Sequence, residues 1–272
     1  MRQRWPQAWH RTEPSASGSY NSPSAVNASS VWARVEAAIG GPPFRAEGPS
    51  STSFYAAGPG PSIRYNRPMH PGLTVAVLAG GKSSRMGTDK AFVRVRGRPL
   101  IEAILAQVDG LGAETILITN QPDDYRYLGT PLFGDVLPDM GALGGLYTAL
   151  YFSSHPRTLC LACDMPFVAR PLLEHLIRLS ADADAVVPRL PAGPAGRPEA
   201  EPFRAVYARA ACLGPIRAAL EAGRRRVIAF FPEVRVRFVD EAEIDRFDPQ
   251  HRSFFNINTP EDLETARRLA EV

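Results

Sequence analysis

Lysine is nearly missing from this chain. Of its 31 basic residues 29 are arginine, and the two lysines, Lys82 and Lys90, share one nine-residue window. Cysteine is scarce too: Cys160, Cys163 and Cys212 are too few for the disulfide framework of a small secreted fold, and they suit a reducing cytoplasm. No apolar run approaches the roughly 18 residues that a membrane span needs, which excludes an integral membrane protein. Leucine is absent from the first 70 residues, where 11 Ser, 9 Pro and 6 Gly stand instead. A stretch so poor in apolar side chains cannot offset the entropy of ordering, so residues 1–70 are expected to form a disordered arm. Met69, at its end, is a candidate start residue, in which case 1–68 is an over-long reading of the gene.

What is present after residue 70 is a different kind of sequence. The chain as a whole is 44% apolar over 272 residues, and residues 71–272 are long enough for one domain with a sizeable core. Charge divides at the same place. The first 70 residues hold 7 Arg against 3 Glu, a net +4, while the whole chain is only +3, so the domain itself is close to neutral at −1. That domain offers no basic field of the kind that draws nucleic acid, and the arm has neither clustered cations nor the apolar region of a signal peptide.

Strands and helices alternate along the domain. The run 74–79 (TVAVLA) is continuous and β-branched, as for a strand buried on both faces, and 114–119, 158–163, 185–187, 203–207 and 234–239 read as further strands. Helices are expected at 99–111, with Pro99 in the first turn, and at 142–152, 171–179, 209–222 and 224–231. The last helix opens with Thr259 as N-cap, then Pro260, Glu261 and Asp262 at the positive end of the helix dipole. The stretch 191–202 reads as a loop. Repeated βα units imply a three-layer α/β/α, Rossmann-like domain with a mostly parallel sheet.

The first strand runs into Leu78-Ala79-Gly80-Gly81-Lys82-Ser83-Ser84-Arg85-Met86-Gly87-Thr88-Asp89-Lys90. A glycine-rich turn at the carboxyl end of a buried strand lets backbone N–H groups approach phosphates, and such crevices are where open α/β sheets bind ligands. Both lysines and Arg85 lie in it. Lysine is a compact point charge that arginine does not replace, so polyphosphate binding competes with the plainer reading of a βα turn carrying exposed cations. Two motifs are excluded. A P-loop needs glycine at 76, which is Ala76 within the strand, and the dinucleotide pattern GxGxxG fails because Gly80 and Gly81 are adjacent.

The carboxylate Asp164 follows the strand TLCLAC and precedes Met165-Pro166. At a strand tip it shares the crevice of the glycine loop, and it is a hard oxygen ligand suited to Mg²⁺. Cys160 and Cys163 are three apart on that strand and point to opposite faces, which makes them packing residues rather than a redox pair.

The stretch LAGGKSSRMGTDK, followed by Gly97-Arg98-Pro99-Leu100, resembles the LAGGxSxRMGxDK…GxPL signature of GT-A-like nucleotidyltransferases, and within them the molybdenum cofactor guanylyltransferases. The resemblance extends over about 73–270. It implies nucleotide binding by Leu78, Ala79, Gly80, Gly81, Lys90, Asn120, Asp135 and Asp164, with Lys90, Arg85 and Asp164 as the catalytic group and Asp164 as the Mg²⁺ ligand. Asp139-Met140-Gly141-Ala142-Leu143-Gly144-Gly145-Leu146 resembles the family's G-P-L-x-G segment with Ala142 in place of Pro, and Glu201-Pro202 its (E/H)-P. The segments Phe255-Asn256-Ile257-Asn258-Thr259-Pro260-Glu261-Asp262 and Gly223-Arg224-Arg225-Arg226-Val227 match its NTPED and G-x-R-R-V motifs, so Asn256, Asn258, Arg225 and Arg226 would face the acceptor.

The implied activity is transfer of GMP from GTP to the phosphate of molybdopterin, with Mg²⁺ as cofactor and with molybdoenzyme-maturation proteins as further partners. Use of CTP, or of a sugar phosphate as acceptor, is the alternative within the same class. A non-catalytic GTP-binding protein that delivers cofactor is the alternative outside it.

Overall fold

The computed structural model describes residues 68–80, 90–192 and 198–271. Residues 1–67 and the expected positions Gly81, Lys82 and Arg85 lie outside the described residues, while His70, expected as the end of the arm, instead begins the first strand. The elements begin with β1 (His70–Leu78), a 3-10 turn (Lys90–Phe92), a hairpin of β2 (Arg94–Val95) and β3 (Arg98–Pro99), and helix α1 (Leu100–Val108). Next come β4 (Gly112–Ile118), the one-turn α2 (Pro122–Tyr125), β5 (Leu132–Phe133) and α3 (Gly141–Phe152). They continue with β6 (Arg157–Ala162), α4 (Arg170–Leu179), β7 (Ala185–Ala192), β8 (Pro198–Ala200), β9 (Arg204–Ala208) and α5 (Arg209–Glu221). A 3-10 segment (Val227–Glu233), β10 (Val236–Asp240), α6 (Glu241–Ile244), a 3-10 turn (Arg252–Phe254) and α7 (Pro260–Glu271) follow.

Seven strands run in the order β10-β7-β9-β6-β1-β4-β5, with β8 paired to β7. β1 is parallel to both β4 and β6, β4 to β5, and β10 to β7. Among the described strands of this sheet, only β9, between β6 and β7, and β8 run the other way. The tips of β1, β4, β5 and β6 therefore share one edge of the sheet, and β9 begins at that same edge.

Both faces of the sheet are covered, which is why the buried part of β1, Leu73–Val77, is apolar but for Thr74. Leu73, Val75 and Val77 enter the core beneath α1 and α4, where Ile101, Ile104, Leu172 and Leu176 are fully buried. Ala76 and Leu78 pack on the opposite side with Leu143, Leu146 and Tyr147 of α3 and Cys212 and Ile216 of α5. Cys160 and Cys163 fall in these two separate cores, as the strand period requires.

Several sequence expectations need correction. Pro99 closes β3 and flanks α1 rather than entering its first turn, since Arg94 pairs with Pro99 across the hairpin. The expected helix at 224–231 is a 3-10 segment starting at Val227, with Pro232 inside it and unable to continue an α-helical hydrogen-bond ladder. The loop expected at 191–202 is largely strand: β7 runs on to Ala192 and folds against β8. Residues 193–197 of that loop lie outside the described set. The hairpin β2–β3, of two residues a strand, is too short to show a period in the sequence.

Candidate active site

The shared sheet edge gathers the expected residues from five segments. At the tip of β1, Ala79 N–H donates to the Ile118 carbonyl at 2.9 Å and Cys163 N–H donates to the Leu78 carbonyl at 3.1 Å. Ala79-Gly80 thus leaves the sheet between the ends of β4 and β6. Gly80 is exposed, and a Cβ built on it would meet nothing within 4 Å, so open space lies in front of the backbone there.

Asp164 sits in the turn just beyond β6, its carbonyl accepting the Ile257 N–H at 2.9 Å. That bond fastens the C-terminal segment 255–258 to the turn. Its Oδ1 is buried and has no hydrogen-bond partner among the described residues. Burial pushes the carboxyl above its ordinary range; the Lys90 ammonium is the strongest of the charges that pull it back, ahead of Arg204.

Lys90 opens the 3-10 turn after the glycine loop and donates from Nζ to Asn258 Oδ1 at 2.9 Å. Asn258 belongs to the start of α7, whose cap is reciprocal. The Asn258 and Thr259 N–H groups both donate to Asp262 Oδ2 at 2.8 Å, and Asp262 N–H donates to Thr259 Oγ1 at 3.1 Å. These hydrogen bonds hold the Asp262 carboxyl below its usual range, led by the one from Asn258. The expected alternation holds here: Ile257 is fully buried against Val95 and Leu100, Asn256 is half-buried and Asn258 is exposed. Asn258, read from the sequence as an acceptor contact, is also the partner of the Lys90 ammonium.

At the tips of β4 and β5, Asn120 and Asp135 bind one another. Asn120 Nδ2 donates to Asp135 Oδ2, and Asp135 N–H donates to Asn120 Oδ1, both at 2.8 Å. Helix α3 is closely packed at Gly144, against the turn before it, and at Gly145, against the end of β1. A Cβ on Gly144 would lie 2.7 Å from Met140 Cβ, and one on Gly145 would lie 3.1 Å from Leu78 Cδ2. Ala142 is exposed in the first turn of α3, where helix propensity serves as well as the proline of the family segment. Arg225 donates to the Asp139 carbonyl at 2.6 Å, which places it beside the entry to α3. Arg226 is exposed next to it.

Arg204, which the sequence did not single out, and Glu201, which it offered only as part of the (E/H)-P match without a role, stand under Asp164. Arg204 is 1% exposed and donates from Nη2 to the Met165 carbonyl at 2.9 Å. Burial lowers its pKa to about 10, against the carboxylates Glu201, Asp164 and Asp248, so it remains a cation at neutral pH. Glu201 is pushed up by burial, while the Phe203 N–H on its Oε1 works against that shift. The available signal was an arginine at the head of an otherwise apolar strand.

No group of three His, Cys, Asp or Glu among the described residues could hold a metal. One buried carboxylate with an unpartnered oxygen nevertheless fits Mg²⁺, which keeps waters and takes phosphate oxygens rather than a protein cage. The edge thus combines an open backbone turn, a positioned ammonium and a hard oxygen donor, the set that a triphosphate and its cation require.

A family model described as the MobA-like NTP transferase domain matches residues 75–236. The "Probable molybdenum cofactor guanylyltransferase" of Pelotomaculum thermopropionicum is 33% identical over 198 residues, covering 73% of this chain and 93% of the relative. The crystal structure of molybdopterin-guanine dinucleotide biosynthesis protein A from Archaeoglobus fulgidus superposes with a TM-score of 0.61 at 28% identity, covering 73% of this chain and 98% of that one. The 2-C-methyl-D-erythritol 4-phosphate cytidylyltransferase of Thermus thermophilus shares the fold with a TM-score of 0.54 at 20% identity, covering 72% and 98%.

Proposed function

We propose that this chain, which belongs to the MobA-like NTP transferase domain family and is a nucleotidyltransferase, moves GMP from GTP onto the phosphate of molybdopterin and releases pyrophosphate. The names of its relatives support the acceptor and the nucleotide. The observation that carries the reading is that one segment, 257–258, ties Lys90 and Asp164 to the same sheet edge: Lys90 donates to Asn258 Oδ1, and the Ile257 N–H donates to the Asp164 carbonyl, both at 2.9 Å. The three cysteines form no disulfide, consistent with a reducing cytoplasm as the place of reaction.

An oxygen of the acceptor phosphate attacks the α-phosphorus, and the bond from that phosphorus to the oxygen bridging the β-phosphate breaks. The electron pair leaves with pyrophosphate. The acceptor is already an anion, so no general base is required. The N–H groups of the Gly80-Gly81 turn cradle the triphosphate, and Lys90, aided by Arg85, stabilises the charge that gathers on the leaving group. Asn258 keeps the Lys90 ammonium in place. Asn120 and Asp135 hold each other at the nucleoside side. Arg225, with Arg226 and Asn256, faces the acceptor, since a guanidinium fork matches a phosphate. Asp164 is the residue that would hold Mg²⁺, which when bound neutralises triphosphate oxygens.

Pyrophosphate release measured with molybdopterin, Mg²⁺ and each nucleoside triphosphate in turn tests the reading. Release with GTP alone is expected. Release with CTP instead would assign the cytidylyl reaction, and GTP binding without release would leave only a carrier.

A further inference from the structure

One enclosed charge has no part in the reaction as derived so far. Arg204 heads β9, directly across from Leu161 of β6, so its side chain lies under the turn that carries Asp164. Only its Nη2 is used by the scaffold, on the Met165 carbonyl at 2.9 Å. Nε and Nη1 are buried and have no hydrogen-bond partner among the described residues, and neither does Asp164 Oδ1. Three complementary polar atoms therefore share one buried neighbourhood without being consumed by the fold.

The carboxylates that act on Arg204 come from three segments. Asp164 lies after β6, Glu201 before β9, and Asp248 in the stretch that leads to 255–258. Glu201 accepts the Phe203 N–H at 3.1 Å. Asp248 accepts the N–H groups of Arg252 and Ser253, and the Ser253 hydroxyl. These two already serve the backbone of other residues in their turns, while Asp164 has its carbonyl on the Ile257 N–H, its own backbone N–H on its carboxylate, and Oδ1 left without a partner among the described residues. For stability alone, an apolar side chain of similar volume would serve this interior position as well as a buried ion does. A planar guanidinium, in contrast, fixes direction, and a lysine cannot reproduce its fork.

We propose that Arg204 is a positioning residue of the transfer site: it clamps the Asp164-Met165 turn against β9 and so fixes where the Asp164 carboxylate stands for the divalent cation. The inference rests on the reading of Asp164 as the cation-holding carboxylate. Outer-shell partners of this kind, when removed, cost about ten- to a hundredfold in metal affinity.

The test is Mn²⁺ binding in the presence of GTP without acceptor, followed by electron paramagnetic resonance of the free ion, for wild type, Arg204→Met, Arg204→Lys and Asp164→Asn, with thermal melts alongside. Folded Arg204→Met is expected to bind Mn²⁺ about tenfold more weakly or worse, and Arg204→Lys to fall between it and wild type. GTP affinity measured without metal is expected to stay within about twofold. A folded Arg204→Met with wild-type Mn²⁺ affinity overturns the inference; if that variant does not fold, Arg204→Lys is judged by the same criterion. If Asp164→Asn loses Mn²⁺ while the arginine variants keep it, the inference alone fails. If Asp164→Asn keeps it, the assignment of Asp164 fails and the inference with it.

Discussion

At the tips of β4 and β5, Asn120 and Asp135 satisfy one another through two hydrogen bonds of 2.8 Å. At the tips of β6 and β9, Asp164 Oδ1 and two nitrogens of Arg204 are buried with no partner among the described residues. The two halves of one crevice are thus built differently. The half proposed for the nucleoside has these polar groups already paired with one another, so binding there need not reorganise them. The half proposed for the phosphates holds charges out of water with part of their hydrogen-bonding capacity unspent, the kind of local violation that folds tolerate where chemistry is done.

The sharpest way to break this comparison is Asp164→Asn. Transfer is expected to fall by about 10²–10³-fold, while the melting temperature holds or rises because a buried charge is gone; pyrophosphate release and a thermal melt check both. The same residue fixes the acid limb of the wild-type pH profile. Its carboxyl is pushed up by burial, so on lowering the pH it takes up a proton, and loses its hold on a cation, earlier than an ordinary aspartate at about 4. The limb measured in kcat/KM is accordingly expected above that value.

Lys90→Arg comes next. It keeps the charge but not the point geometry, and it is expected to cost about tenfold or more in kcat with the fold intact, measured in single-turnover transfer. On the nucleoside side the effects are smaller and of another kind. Asn120→Ala unties Asp135 and is expected to raise the KM for GTP about tenfold with kcat nearly unchanged, as for one lost hydrogen-bonded pair. The smallest catalytic effect belongs to Gly144→Ala. Its new Cβ would lie 2.7 Å from Met140 Cβ, an atom that cannot swing away, and a loss of about 1–3 kcal/mol in stability is expected with little change in KM, read by chemical denaturation.

The parallel part of the molecule was legible because its strands are buried on both faces and its helices carry start signals. TVAVLA, Pro260 and Thr259 all stand where those rules put them, give or take a residue at strand ends. Legibility failed where structure is set by long-range pairing: the β7–β8 hairpin, the two-residue β2 and β3, and the 3-10 turn at 227 have no period of their own. The candidate site divides in the same way. Asp164, Asn120 and Asp135 follow strand ends and Lys90 closes the motif LAGGKSSRMGTDK, whereas Arg204 comes under Asp164 only through the reversed strand β9 and Glu201 through the turn before it. No local pattern states that a strand runs backwards.

The location of the site is the central claim, and the molecule offers a rival place for it. A cavity of about 400 Å³ lies at the opposite edge of the sheet, lined by Asp109, Glu114, Thr115, Pro131, Ser154 and His155 among others. Hydrogen–deuterium exchange with and without GTP and Mg²⁺ separates the two directly. Protection is expected in peptides spanning 78–92, 118–121, 133–146 and 162–166, with 109–115 and 153–156 unchanged. Protection confined to 109–115 and 153–156 would contradict the account.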